Sequence, residues 1–186
     1  MDGTDLFLKY AYSCADVQRD YLHKITDSEL RRVREMIAGA PFDEPLIRKM
    51  FAPALGRLEE IAALHGLEPL SHENVSAYFL IYHNQYIDAL DGNYAQLPPK
   101  IREFCKVHIV RVTEVDSDGR KRWFSLAPHD EPLPYERALD PFHLAVENDA
   151  LVAVHQGLAV TAVDEQEYAR LLATFTALPP SLRRGA

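Results

Sequence analysis

The chain has 186 residues, 47% of them hydrophobic, and a formal net charge of −8 at pH 7. That is enough apolar material for one large domain or two small ones. The acidic balance, 10 basic against 15 acidic residues over 1–100 and 10 against 13 over 101–186, argues against nucleic acid as a partner.

No apolar run is long enough to span a bilayer, and Met1-Asp2-Gly3-Thr4-Asp5 lacks the basic start of a signal peptide. The two cysteines, Cys14 and Cys105, suit a reduced protein better than a disulfide framework. The expectation is a cytoplasmic protein with no membrane contact.

Residues 4–23 place Phe7, Tyr10, Cys14, Val17 and Tyr21 at alternating three- and four-residue spacing. This is the stripe of an amphipathic helix, with Thr4 as its expected cap and Cys14 as a small core hydrophobe within the stripe. Thr26-Asp27-Ser28-Glu29 is a capping box for a second helix carrying Leu30, Val33 and Ile37, which Gly39 ends. Arg31, Arg32 and Arg34 form its solvated side.

Asp43-Glu44-Pro45 opens a third helix, Pro53 kinks or divides it, and Gly66 stops it. A fourth starts at Ser71, with Leu70 stapled onto Val75. Its run Val75–Tyr82 is apolar around nearly the whole circumference, as in a helix surrounded by neighbours. His83, Asn84 and Asp88 then enter it as polar groups, either hydrogen-bonded residues at a helix end or a polar patch facing the second half of the chain.

Asp91-Gly92-Asn93-Tyr94 breaks the helix, and Leu97-Pro98-Pro99-Lys100 reads as a stiff connector. This sets the expected boundary: a helical bundle over 1–97, a β domain over 101–178 and a loose tail over 179–186. Cys105 to Val115 reads as a strand, Asp116-Ser117-Asp118-Gly119 as a hairpin turn and Arg122–Leu126 as the returning strand. Pro128 to Phe142 is proline-rich and irregular, with His129 in it and His143 just after it. Leu151–Val160 reads as one further strand. Asp164-Glu165-Gln166-Glu167 caps a last helix with a stripe of Tyr168, Leu171, Leu172, Phe175 and Leu178, which Pro179-Pro180 ends. The fold class is α+β.

No Cys-x-x-Cys, His-Glu-x-x-His, Gly-x-Ser-x-Gly or phosphate-cradling glycine loop is present. Cys105 and His155 bracket the β half, and thiolate with imidazole suits a transition metal or an activated thiol. In ideal alternation His108 projects opposite Cys105 and cannot share its ligand face.

Around these two residues the sequence resembles the HypC/HupF family of [NiFe]-hydrogenase maturation chaperones. Cys105-Lys106-Val107-His108-Ile109-Val110-Arg111-Val112 lies on that family's opening motif. Asn148-Asp149-Ala150-Leu151-Val152-Ala153-Val154-His155-Gln156-Gly157-Leu158-Ala159 lies on its second, and Val163–Glu167 on its acidic helix start. The resemblance covers about residues 105–178. It departs where Ile109-Val110 replaces a Pro-Gly turn, and where Cys105 sits inside the chain rather than at a processed amino terminus.

The resemblance implies a small OB-like barrel with a carboxy-terminal helix. It further implies a non-catalytic chaperone that carries iron as an iron-cyanide-carbonyl unit through Cys105 and His155. Its partners would be a HypD-like scaffold and a hydrogenase large-subunit precursor. Two alternatives stay open: an interaction module that kept the barrel without metal delivery, and a thiol enzyme with Cys105 as nucleophile and His155 as base.

Overall fold

A computed structural model describes residues 3–129 and 133–183. It is mixed α+β, with several helices and a closed five-stranded β-barrel. The chain divides into two compact units, Met1–Tyr78 with Leu178–Ala186, and Phe79–Ala177.

In the first unit, α1 (Gly3–Asp20) packs against α2 (Asp27–Ile37) and α4 (His72–Ala77), while α3 (Glu44–His65) packs against α4. Local side-chain-to-backbone bonds set most of these ends. Thr26 and Glu29 form the reciprocal capping box of α2. Asp43 accepts from the Leu46 N–H at the start of α3, and Ser71 accepts from the Asn74 N–H at the start of α4. Gly66 ends α3 in the left-handed conformation.

Pro53 lies inside α3, and Phe51 two residues earlier leaves helical geometry at φ −124° and ψ 27°. The kink follows from the amide hydrogen that proline lacks. Thr4, expected as a cap, lies inside α1, and Cys14 is half-buried there. Pro180–Arg183 forms a short helix, α8, where a loose tail was expected; residues 184–186 fall outside the described part.

The unbroken fourth helix expected from Ser71 is interrupted. After α4 comes one π-helical turn, Tyr78–Tyr82, and then α5 (His83–Asp88). A π turn loosens the carbonyl ladder, and Gln85 Nε2 donates to the Ile81 carbonyl at 2.9 Å.

The division between units falls at this turn rather than at the expected connector over 97–101. The reason is that α5 belongs with the barrel. Asn84 Nδ2 donates to the Val107 carbonyl and Asn84 Oδ1 accepts from the Val107 N–H, both at 2.8 Å.

Within Phe79–Ala177 a 3₁₀ turn (Gly92–Gln96) leads to α6 (Pro99–Phe104), in which the second proline of the expected connector occupies the first turn. The Cys105 N–H still bonds to the Ile101 and Arg102 carbonyls. Cys105 therefore closes a helix and does not start a strand, so the alternation argued between Cys105 and His108 does not apply.

The barrel consists of β1 (Val107–Ser117), β2 (Arg122–Pro128), β3 (Arg137–Leu139), β4 (Leu151–His155) and β5 (Leu158–Val163), in cyclic order β1-β2-β3-β5-β4. Neighbours are antiparallel except β3 and β5, which are parallel. Val110, Val112, Phe124, Ala138, Val152 and Val154 fill the interior. Register slips between Val112 and Glu114, and between Ala153 and Val154, mark bulges that bend the strands toward closure.

Two sequence expectations change here. The span over 128–142 contains β3, with residues 130–132 outside the described part. The single strand over 151–160 is a hairpin. Gln156 and Gly157 sit at φ 53° and 73° between β4 and β5, the paired positive angles of a two-residue type I′ turn.

After β5, Asp164 accepts from the Glu167 N–H to cap α7 (Glu165–Thr174). Leu171 and Phe175 are buried, whereas Leu172 and Leu178 are exposed. Among the described residues no helix is long and apolar enough to cross a membrane.

Candidate functional site

The side chains that could do chemistry in the Phe79–Ala177 unit collect between α5, the α6–β1 junction and the β4–β5 turn. Asn84 is one clamp: it pairs with Val107 as a neighbouring strand would. Lys106 is another, with its ammonium 2.9 Å from Asp88 and 3.1 Å from Glu103. Burial alone would lower the Lys106 pKa, but the hydrogen bonds to Asp88 and Glu103 more than offset it and raise it. Asn84 and Asp88 thus fasten α5 to the first strand of the barrel.

His155 closes β4, directly across from Val107, rather than standing mid-strand. It shares a sheet face with Leu151 and Ala153, opposite to Val152 and Val154 in the barrel interior. Its ring is fully buried and meets the His83 ring edge-on, with centroids 5.0 Å apart and planes at 80°. A ring nitrogen of each lies within 4.8 Å of the other, close enough for one metal ion to draw on both. The Tyr94 hydroxyl lies 3.2 Å from His83 Nε2, and His83 is 1% exposed. Tyr94 was not singled out in the sequence; a tyrosine in a Gly-Asn-Tyr turn carries no signal of such a contact.

Cys105 is 3% exposed. Its sulfur accepts a hydrogen bond from Gln156 Nε2 at 3.3 Å. Burial pushes its pKa up to about 12, against a smaller opposing effect of the Gln156 bond. The side chain is a protonated thiol throughout the neutral range. It belongs to no group of three or more histidine, cysteine or carboxylate ligand atoms among the described residues. Lys106 is engaged with its two carboxylates, and neither cysteine is disulfide-bonded.

His108 is buried on the same strand face as Val110 and Val112. Its ring stands perpendicular to that of Tyr135 with centroids 5.8 Å apart. His129 and His143 are exposed on the irregular segments.

A second polar centre is structural. Arg122 stacks over Phe124 and donates to the buried Asp140 carboxylate at 3.3 Å, to the Val146 carbonyl at 2.9 Å and to the Leu144 carbonyl. Asp140 in turn accepts from the Leu144 N–H. The segment between β3 and β4 is tied to the barrel by this pair.

Comparisons of the chain with protein-family models, with curated proteins and with solved structures return no match.

Proposed function

We propose that this chain is a non-catalytic binding protein that docks its Phe79–Ala177 unit on a partner protein. The partner class is the one implied by the sequence resemblance, a [NiFe]-hydrogenase large-subunit precursor. The cyclic strand order with its single parallel pair supports an OB-like barrel, an architecture that uses one strand face and its flanking loops for ligand recognition. The net charge of −8 argues against an oligonucleotide in that role.

The observation that carries this reading is the state of Cys105. A carrier of an iron-cyanide-carbonyl unit needs a thiolate that cargo can reach and leave, and a thiol enzyme needs a thiolate nucleophile. Burial of the Cys105 thiol, which pushes its pKa up to about 12, disfavours both requirements, and this supports the interaction module over iron delivery through Cys105 and His155. What the resemblance leaves is the interaction module.

The test is to mix the purified full chain with hydrogenase large-subunit precursor and follow complex formation by calorimetry. A complex at about 10 μM or tighter that survives Cys105→Ala is the expected result. No complex at that concentration removes the partner assignment. Cyanide and carbonyl stretches in the infrared spectrum of anaerobically purified protein, lost in Cys105→Ala, would restore iron delivery.

A further inference from the structure

We infer that His83 and His155 are ligands of a transition-metal site, one that takes an imidazole-preferring divalent ion such as zinc or cobalt. This goes beyond the binding role proposed above and does not depend on it. The site uses neither Cys105 nor any thiolate argued for from the sequence.

The geometry begins with how the two histidines are held. His83 opens α5 and is followed by Asn84, whose amide grips both backbone groups of Val107. Val107 is the register partner of His155. One side-chain clamp and one strand pairing therefore fix the two histidine backbones relative to each other. The turn after His155 is a tight two-residue one, which stops β4 at that residue. The π turn directly before His83 is a backbone irregularity of the kind that concentrates at functional sites.

The rings satisfy the requirements of shared ligands. Their nitrogens lie within 4.8 Å. Two imidazoles on one ion at bonds of about 2.0–2.1 Å stand about 3.3–4.2 Å apart, so a ring movement of under about 1.5 Å brings both to bonding distance. Tyr94 supplies the outer contact that metal-bound histidines usually have. Its hydroxyl at 3.2 Å from Nε2 makes Nδ1 the coordinating atom of His83 and fixes the ring about it. Both rings are withdrawn from water, so a metal bond there meets little competition from solvent. The two imidazoles fill two of the four positions that zinc or cobalt commonly uses.

Titration of the full-length chain with cobalt, followed by its visible absorption, tests this. The native chain is expected to bind about one equivalent with a low-symmetry spectrum. His83→Gln and His155→Gln should each weaken binding by about 100-fold or more, and Tyr94→Phe by about 10-fold. Cys105→Ala should leave affinity and spectrum unchanged.

Cobalt binding equal to native in His83→Gln overturns the proposal, as does absence of stoichiometric binding by the folded native chain. So does a spectrum that collapses in Cys105→Ala. Should the glutamine variants misfold, Tyr94→Phe and X-ray absorption of the zinc-loaded native chain decide the matter. Scattering from two imidazoles supports the site, and its absence removes it. None of these readouts involves the partner protein.

Discussion

Asn84 and Val107 exchange two hydrogen bonds of 2.8 Å, side chain to backbone in both directions. The amide takes the place of a neighbouring strand at the first residue of β1 and so docks α5 on the barrel. Truncation to Asn84→Ala leaves a buried N–H and C=O without these partners. The expected cost is roughly 1–3 kcal/mol, read as a lower denaturant midpoint. Asp88→Ala, at an exposed ion pair, should cost under about 1 kcal/mol. Equal effects from the two would show that the amide clamp is not special.

The Arg122–Asp140 pair should behave differently from any surface ion pair. Asp140 is buried and Arg122 serves two carbonyls besides the carboxylate. Asp140→Ala strands a guanidinium and the Leu144 N–H, so a loss of roughly 3–5 kcal/mol is expected. Amide exchange should rise first over residues 140–150. A loss under about 1 kcal/mol would mean that solvent replaces the carboxylate.

Cys105 gives a prediction with a definite sign in pH. Burial pushes the folded thiol up to about 12 from its ordinary 9.0. The unfolded chain therefore releases this proton first as pH rises. The contribution to stability is fully present below about pH 9 and is lost between pH 9 and 12, by about 1.4 kcal/mol per unit within that window. Tyrosines titrate there as well, so the measured quantity is the difference between native chain and Cys105→Ala. Its slope should be flat below pH 9 and fall above it. Peptide mapping after iodoacetamide at pH 8 should find Cys105 modified only when denaturant is present.

Two glycines should respond to alanine with opposite signs. Gly157 lies at φ 73° in the β4–β5 turn, where an added Cβ meets only the Phe104 ring at 3.9 Å. Gly157→Ala therefore costs backbone strain alone, about 1–2 kcal/mol. Gly56 lies exposed in α3 with nothing within 4 Å of an added Cβ. Gly56→Ala should stabilise by about 0.5–1 kcal/mol. Thermal melts of the two variants decide both signs.

What could be read from the sequence was local. Thr26 with Glu29, Asp43 with Pro45, Gly66, Ser71 and Asp164 each act within one turn of the chain. Their residue types alone name the helix ends they make. The α+β class also followed from the change of period near residue 105.

The misreadings have physical causes. The stretch Leu151–Val160 is buried on both faces and looks continuous, and Gln156-Gly157 is a weaker hairpin signal than Asn-Gly. Cys105 reads as strand because Val107 follows it closely, although the helix hydrogen bonds extend through it. The contact of His83 with His155 depends on Asn84 gripping a strand that lies far along the chain, and no periodicity encodes that.

The barrel is fastened unevenly. β1 and β2 share a long register, and β4 pairs along its whole length with β1 and β5, yet β3 meets β5 only at Leu139 and Leu158. The Leu139 N–H to Gly157 carbonyl bond, at 2.9 Å, ties β3 to the start of the same seam. A cylinder closed by so short a suture has a built-in place to part: thermal fluctuation should open it there while the other four junctions hold, separating Leu139 from Leu158 before any other pair of strands lets go.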